Sequence, residues 1–214
     1  MKIDSRLILA LDETDGAKAL KVAESVSGIV DAIKINWPLV LSEGPGMITR
    51  LSELSDVICD FKVADIPNTV RLIVENAVSR GASGVIVHAF TGDDSLRAAV
   101  EAAGGADIYA VTEMSHPGGK MFTALHAEEM ARLGVECGVS GFIAPATRPE
   151  RIAAVRQVIG DLKILSPGVG AQGGKASDAI RAGADYAIVG RAIYGSEDPK
   201  GAAESFAEDI RTVL

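Results

Sequence analysis

Eight short apolar runs recur along the chain, at residues 7–12, 32–36, 57–62, 84–88, 108–113, 141–146, 162–167 and 186–190, separated by longer stretches of mixed polarity. Runs of this length, rich in Val, Ile and Ala and without polar alternation, suit strands buried on both faces, as parallel strands are. The stretches between them return an apolar residue every three or four positions, which predicts amphipathic helices over 17–26, 68–80, 95–103, 124–133 and 149–159. Gly81, Gly134 and Gly160 stand where helices should stop. Eight βα units in 214 residues predict a closed (β/α)8 barrel of the TIM type, as one domain over 1–214. A doubly wound open sheet is the alternative architecture. No linker or low-complexity tract divides the chain.

Composition narrows the core. Hydrophobic residues make up 48% and aromatics 4%, with 23 glycines, so Ala, Val, Ile and Leu must fill the interior. A formal charge of -8 excludes a general binder of nucleic acid or of anionic membrane. An anionic ligand therefore needs a local cluster of positive groups. Cys59 and Cys137 form no metal spacing and read as reduced core thiols. The first residues, Met1 to Arg6, lack the pattern of a signal peptide, and no apolar run has the length of a membrane span. A cytoplasmic protein is expected.

Barrel enzymes carry their chemistry at the C-terminal ends of the strands. Asp12, Lys34 with Asn36, Asp60 with Lys62, His88, Glu113 and Arg191 all stand at or just past such an end. The segment Asp60-Phe61-Lys62-Val63-Ala64-Asp65 is the most informative, because strand alternation puts Asp60 and Lys62 on one face and Phe61 on the other. These charges read either as a structural ion network or as a catalytic cluster. The second is favoured because a charge inside a barrel mouth is costly to desolvate. Acids beside Lys62 favour its ammonium form, which suits a proton donor and a stabiliser of negative charge better than a Schiff-base nucleophile.

The stretch 166–174, Ser-Pro-Gly-Val-Gly-Ala-Gln-Gly-Gly, contains G-x-G-x-x-G. A dinucleotide fingerprint needs an acid at the end of the following strand, whereas Asp185 begins one. The better reading is a phosphate loop after the seventh strand, joined by Gly190 and Arg191 after the eighth. The loop 112–119, polar and Gly-rich, suits a closing lid. His116 reads as a turn residue and His88 as a satisfied polar group rather than a ligand. No metal-ligand spacing is present, and neither metal nor cofactor is expected.

Taken together and in order along nearly the whole chain, these segments resemble the orotidine 5'-phosphate decarboxylases, most of all the shorter archaeal-type members. The resemblance lies in residues 7–12, in 60–69 with its D-x-K-x-x-D-I-P, in 112–118, in 166–174 and in 189–194. It implies a cofactor-free decarboxylation of orotidine monophosphate to uridine monophosphate in pyrimidine biosynthesis. By the same resemblance, Lys34, Asp60, Lys62 and Asp65 would form the charged catalytic network. Asp65 and Thr69 would reach the neighbouring subunit's site in a homodimer. Asp12 would hold a ribose hydroxyl, Ser115 the pyrimidine, and Gln172 would bridge the lid and the phosphate. Gly190, Arg191 and Tyr194 would bind the phosphate, and Pro167 would line the substrate site. Asn36-Trp37 after Lys34 is an untypical pairing that leaves the local sugar contacts open. The rivals are a magnesium-dependent sugar-phosphate decarboxylase or aldol enzyme of the same wider group, and a non-catalytic nucleotide-binding barrel.

Overall fold

The computed structural model describes residues 4–214, so the reading of Met1, Lys2 and Ile3 lies outside the described residues. Eight parallel strands close into a barrel in chain order, β1 Leu7–Leu11, β2 Ala32–Ile35, β3 Val57–Val63, β4 Gly84–His88, β5 Asp107–Val111, β6 Gly141–Ile143, β7 Lys163–Val169 and β8 Tyr186–Val189. The last pairs the first, with Ile8 opposite Ile188. The doubly wound alternative therefore falls away.

Helices α1 Gly16–Val26, α2 Trp37–Glu43, α3 Gly46–Ser52, α4 Pro67–Val78, α5 Asp93–Ala102, α6 Ala127–Cys137, α7 Pro149–Ile159, α8 Ala176–Arg181, α9 Arg191–Tyr194 and α10 Pro199–Arg211 fill the connections. Two apolar layers result, because strand side chains alternate. Leu7, Leu9, Leu11, Ile33, Ile35 and Cys59 pack outward into the layer against the helices. Ile8, Ala10, Ala32, Ile58, Ile86, Tyr109, Val111, Ile143, Leu165, Tyr186 and Ile188 fill the barrel. Cys59 and Cys137 are buried free thiols, and burial pushes the Cys59 thiol up to about 12.

The inward parity explains the placement of the charges. Asp12 lies two positions beyond Ala10, Lys34 two beyond Ala32, Asp60 two beyond Ile58 and His88 two beyond Ile86. The same face that is apolar in the barrel becomes polar at its mouth. At the opposite end, Lys163 Nζ and the Tyr109 hydroxyl both donate to Asp107 Oδ2, at 2.9 and 2.7 Å.

Two expectations need correction. The sixth helix runs over Ala127–Cys137 rather than 124–133, and Gly134 lies inside it. Gly134 serves packing, since a Cβ there would sit 2.5 Å from Phe142 Cε1; Gly138, at φ +82, ends the helix. Strict alternation also fails in β3. Its register with β4 passes from Cys59–Val85 to Val63–Val87, an excess of residues that bulges the strand around Asp60 to Lys62.

Candidate active site

A cavity of about 330 Å³ opens at the C-terminal mouth of the barrel. Of the expected residues it is lined by Asp12, Lys34, Asp60, Lys62, Ser115, Pro167, Gln172, Gly190, Arg191 and Tyr194, with Asn36 and His116 beside them. Residues from β1, β2, β3, β7 and the loops after β5, β7 and β8 thus converge. Asp65 and Thr69 do not reach this cavity. Asp65 is exposed, its Oδ1 accepting the Ile66 N–H at 2.7 Å, while Ser95 Oγ holds its carbonyl at 2.8 Å.

Asp60 is the centre of the charge cluster. Lys62 Nζ donates to its Oδ1 and Oδ2 at 2.8 and 2.9 Å, and Lys34 Nζ lies 2.8 Å from Oδ2. Burial acts to raise the Asp60 carboxyl's pKa, but the two ammonium groups outweigh it and hold the carboxyl below its ordinary value. Lys34 and Asp60 are almost wholly enclosed, whereas the Lys62 side chain keeps 32% of its surface open to the cavity side. With Asp12 3.9 Å from Lys34, two lysines face two aspartates and the cluster is formally balanced. In a chain of net charge -8, the cavity cation left without an ion-pair partner among the described residues is Arg191, and that is where an anion is attracted.

Asp12 Oδ1 is buried, 3.9 Å from Lys34 Nζ and without a hydrogen-bond partner. The rest of the Asp12 side chain lines the cavity and keeps 38% of the side-chain surface open. Gly168, at φ +103, stands where the loops after β5, β6 and β7 meet: a Cβ there would lie 3.0 Å from Thr147 Cγ2, 3.3 Å from Ser115 Cβ and 3.5 Å from Gln172 Oε1. Only glycine brings the lid and the phosphate loop this close. The Arg191 side chain makes no hydrogen bond or ion pair among the described residues, and Arg191 lines the cavity with its guanidinium fork free.

Several residues behave otherwise than expected. Glu113 does not line the mouth; it is buried and accepts from Arg148 Nε at 2.7 Å and from Arg151 Nε at 2.8 Å. Arg148 also donates to the carbonyls of Met114 and Ser115, at 2.6 and 3.3 Å, so this pair braces the lid on α7. The Arg-Pro-Glu-Arg run at 148–151 was the available signal. His88 is not satisfied: its buried Nδ1 has no partner, and burial, then the Lys62 charge, push its pKa down to about 4. It is a neutral imidazole. Among the described residues no three His, Cys, Asp or Glu side chains gather as a metal would require, and no helix is long and apolar enough to cross a membrane.

Residues 5–206 match the family model described as Orotidine 5'-phosphate decarboxylase / HUMPS family. An orotidine 5'-phosphate decarboxylase of Methanococcoides burtonii is 55% identical over 98% of this chain and 99% of its own length. That of Thermococcus kodakarensis is 49% identical over 99% of each. Among solved structures, the orotidine 5'-monophosphate decarboxylase of Methanocaldococcus jannaschii complexed with the inhibitor BMP superposes with a TM-score of 0.91. It is 42% identical and aligns over 95% of this chain and 97% of its own. The Pyrococcus horikoshii enzyme gives 0.89 at 47% identity, over 96% and 99%.

Proposed function

Since the chain belongs to the orotidine 5'-phosphate decarboxylase / HUMPS family and is a carboxy-lyase, we propose that it decarboxylates orotidine monophosphate to uridine monophosphate through a C6 carbanion, without metal or coenzyme. The observation that carries this is the Lys62 ammonium, bonded to both oxygens of Asp60 and still open toward the cavity. The C6–carboxylate bond breaks and its electron pair stays on C6 as carbon dioxide leaves. Lys62 stabilises that charge and then gives C6 a proton, which water later restores to the amine. The protein must supply this stabilisation electrostatically, since the carbanion has little resonance help. Lys34 fixes Asp60, and Asp60 in turn orients Lys62 beside the departing carboxylate.

The remaining lining residues divide along the nucleotide. Asp12, lining the cavity with a side chain 38% open, accepts from a ribose hydroxyl; Ser115 meets the pyrimidine, next to Pro167. Arg191, Gly190 and Tyr194 take the phosphate, and Gln172 links it to the lid. Phosphate binding far from C6 would close the lid and direct its binding energy to the transition state. One barrel domain then carries the chemistry, completed in a homodimer by Asp65 and Thr69 of the other copy. Exposed Phe90 and Phe122 border an apolar groove with Met130 and Leu133, surface that a second copy would cover.

A magnesium-dependent reaction of the same wider family would use the acids as metal ligands. Asp60 is poorly placed for that, because both its oxygens already accept from ammonium groups. The test is consumption of orotidine monophosphate, followed by its absorbance, with protein freed of metal by a chelator. Steady turnover is expected, with Lys62→Ala inactive yet still binding uridine monophosphate. Loss of activity on chelation, or near-normal turnover by Lys62→Ala, would overturn the reading.

A further inference from the structure

β3 is irregular at the three residues that build the charge cluster. Its register with β2 ends at Cys59, and its register with β4 resumes only at Val63, so Asp60, Phe61 and Lys62 have no register partner on either side. Lys62 has φ +45, a left-handed conformation that costs a lysine about 1–2 kcal/mol. The aim of its ammonium depends on this kink being held. Asp60 is held by Lys34. Phe61, between the two charged residues, is held by Trp37: the indole Nε1–H donates to the Phe61 carbonyl at 3.0 Å, and the rings stack with centroids 4.5 Å apart at 25°.

The Phe61 carbonyl belongs to the peptide unit whose nitrogen is that of Lys62. A hydrogen bond to it fixes the plane from which the φ of Lys62 is measured. Trp37 opens α2, and the side chain of Asn36, which lines the cavity, accepts the Trp37 backbone N–H at 2.7 Å. The indole is therefore anchored at its own backbone before it reaches across to β3. Trp37 itself does not line the cavity and remains 41% exposed, so burial is not its main contribution.

We infer that Trp37 is a positioning residue, which holds the kinked Phe61–Lys62 peptide and so aims the Lys62 ammonium; this rests on the reading of Lys62 as the proton donor. Trp37 is the chain's single tryptophan, so expression in a tryptophan auxotroph fed benzothienylalanine replaces the indole N–H by sulfur at that site alone. Trp37→Phe, which keeps a stacking ring and lacks the donor, is the second variant. Both should lose about 10- to 100-fold in kcat while uridine monophosphate binding stays within about twofold and the melting temperature is unchanged. Full kcat in the benzothienyl protein would overturn the inference, as would a parallel fall of kcat, nucleotide affinity and melting temperature, which describes a merely structural ring. Near-normal turnover by Lys62→Ala would instead remove Lys62 itself, whatever Trp37 does.

Discussion

A carboxylate that accepts from two ammonium groups at once cannot move toward either without weakening the other, and Asp60 is in that position. Its lowered pKa means that the stabilisation it contributes is present at neutral pH and lost as pH falls through the folded value. His88 also weakens the fold in acid, by another route. Its pKa is depressed from 6.5 to about 4, so between those values the unfolded chain binds a proton that the folded chain refuses. Wild-type protein should therefore lose up to about 3 kcal/mol relative to His88→Gln between about pH 7 and about pH 4, read from urea unfolding. Identical pH profiles for the two proteins would place the imidazole in a solvated setting. Arg191 makes a different prediction, because its guanidinium has no internal partner to lose. Arg191→Ala should weaken uridine monophosphate binding on the order of 100-fold and leave uridine binding nearly unchanged, measured by calorimetry. An equal loss for both ligands would take Arg191 away from the phosphate.

Among the elements, α6 and β6 approach closely enough that one hydrogen decides the spacing. Gly134→Ala would force a methyl to within 2.5 Å of the fully buried Phe142 ring, and overpacking of that kind costs about 1–3 kcal/mol. A lowered midpoint in urea is expected, and an unchanged one would mean that α6 is free to shift outward. Gly134 also marks where sequence reading stops. A glycine after an apolar stretch reads as a helix stop, and nothing local distinguishes a stop from a contact with a strand that follows in the chain. The eight strands were legible because parallel strands, buried on both faces, leave continuous apolar runs. The mouth residues were legible because side-chain parity carries Ala10, Ala32 and Ile58 on to Asp12, Lys34 and Asp60. The β3 bulge was not. Asp60 and Lys62 are both polar whether or not the strand between them is regular, so the alternation looks the same in either case. Glu113 obeys the inward parity of Tyr109 and Val111, yet two arginines supplied by α7 and the residue before it draw it away from the mouth. Long-range pairing of that kind has no periodicity to read.

For the whole molecule, Asp65 matters most: three residues beyond Lys62, it stays outside the cavity that the rest of its motif builds. Its loop is anchored, with Ser95 holding the backbone and Ile66 beside it 65% exposed. Under the proposed homodimer, this carboxylate, kept outside its own site next to an exposed apolar side chain, would serve the other copy. In a two-fold dimer each site would then combine Lys62 of one chain with Asp65 of the other, and inactive variants can complement. Lys62→Ala and Asp65→Ala should each be nearly inactive alone. Unfolded together and refolded as a mixture, they would form heterodimers in which one site lacks both groups and the other has both intact. Random pairing places about a quarter of all sites in the intact class, so the mixture should regain about a quarter of wild-type activity. If Asp65 served its own chain, every site in every combination would lack one group and no activity would return, so the refolded mixture decides between the two arrangements.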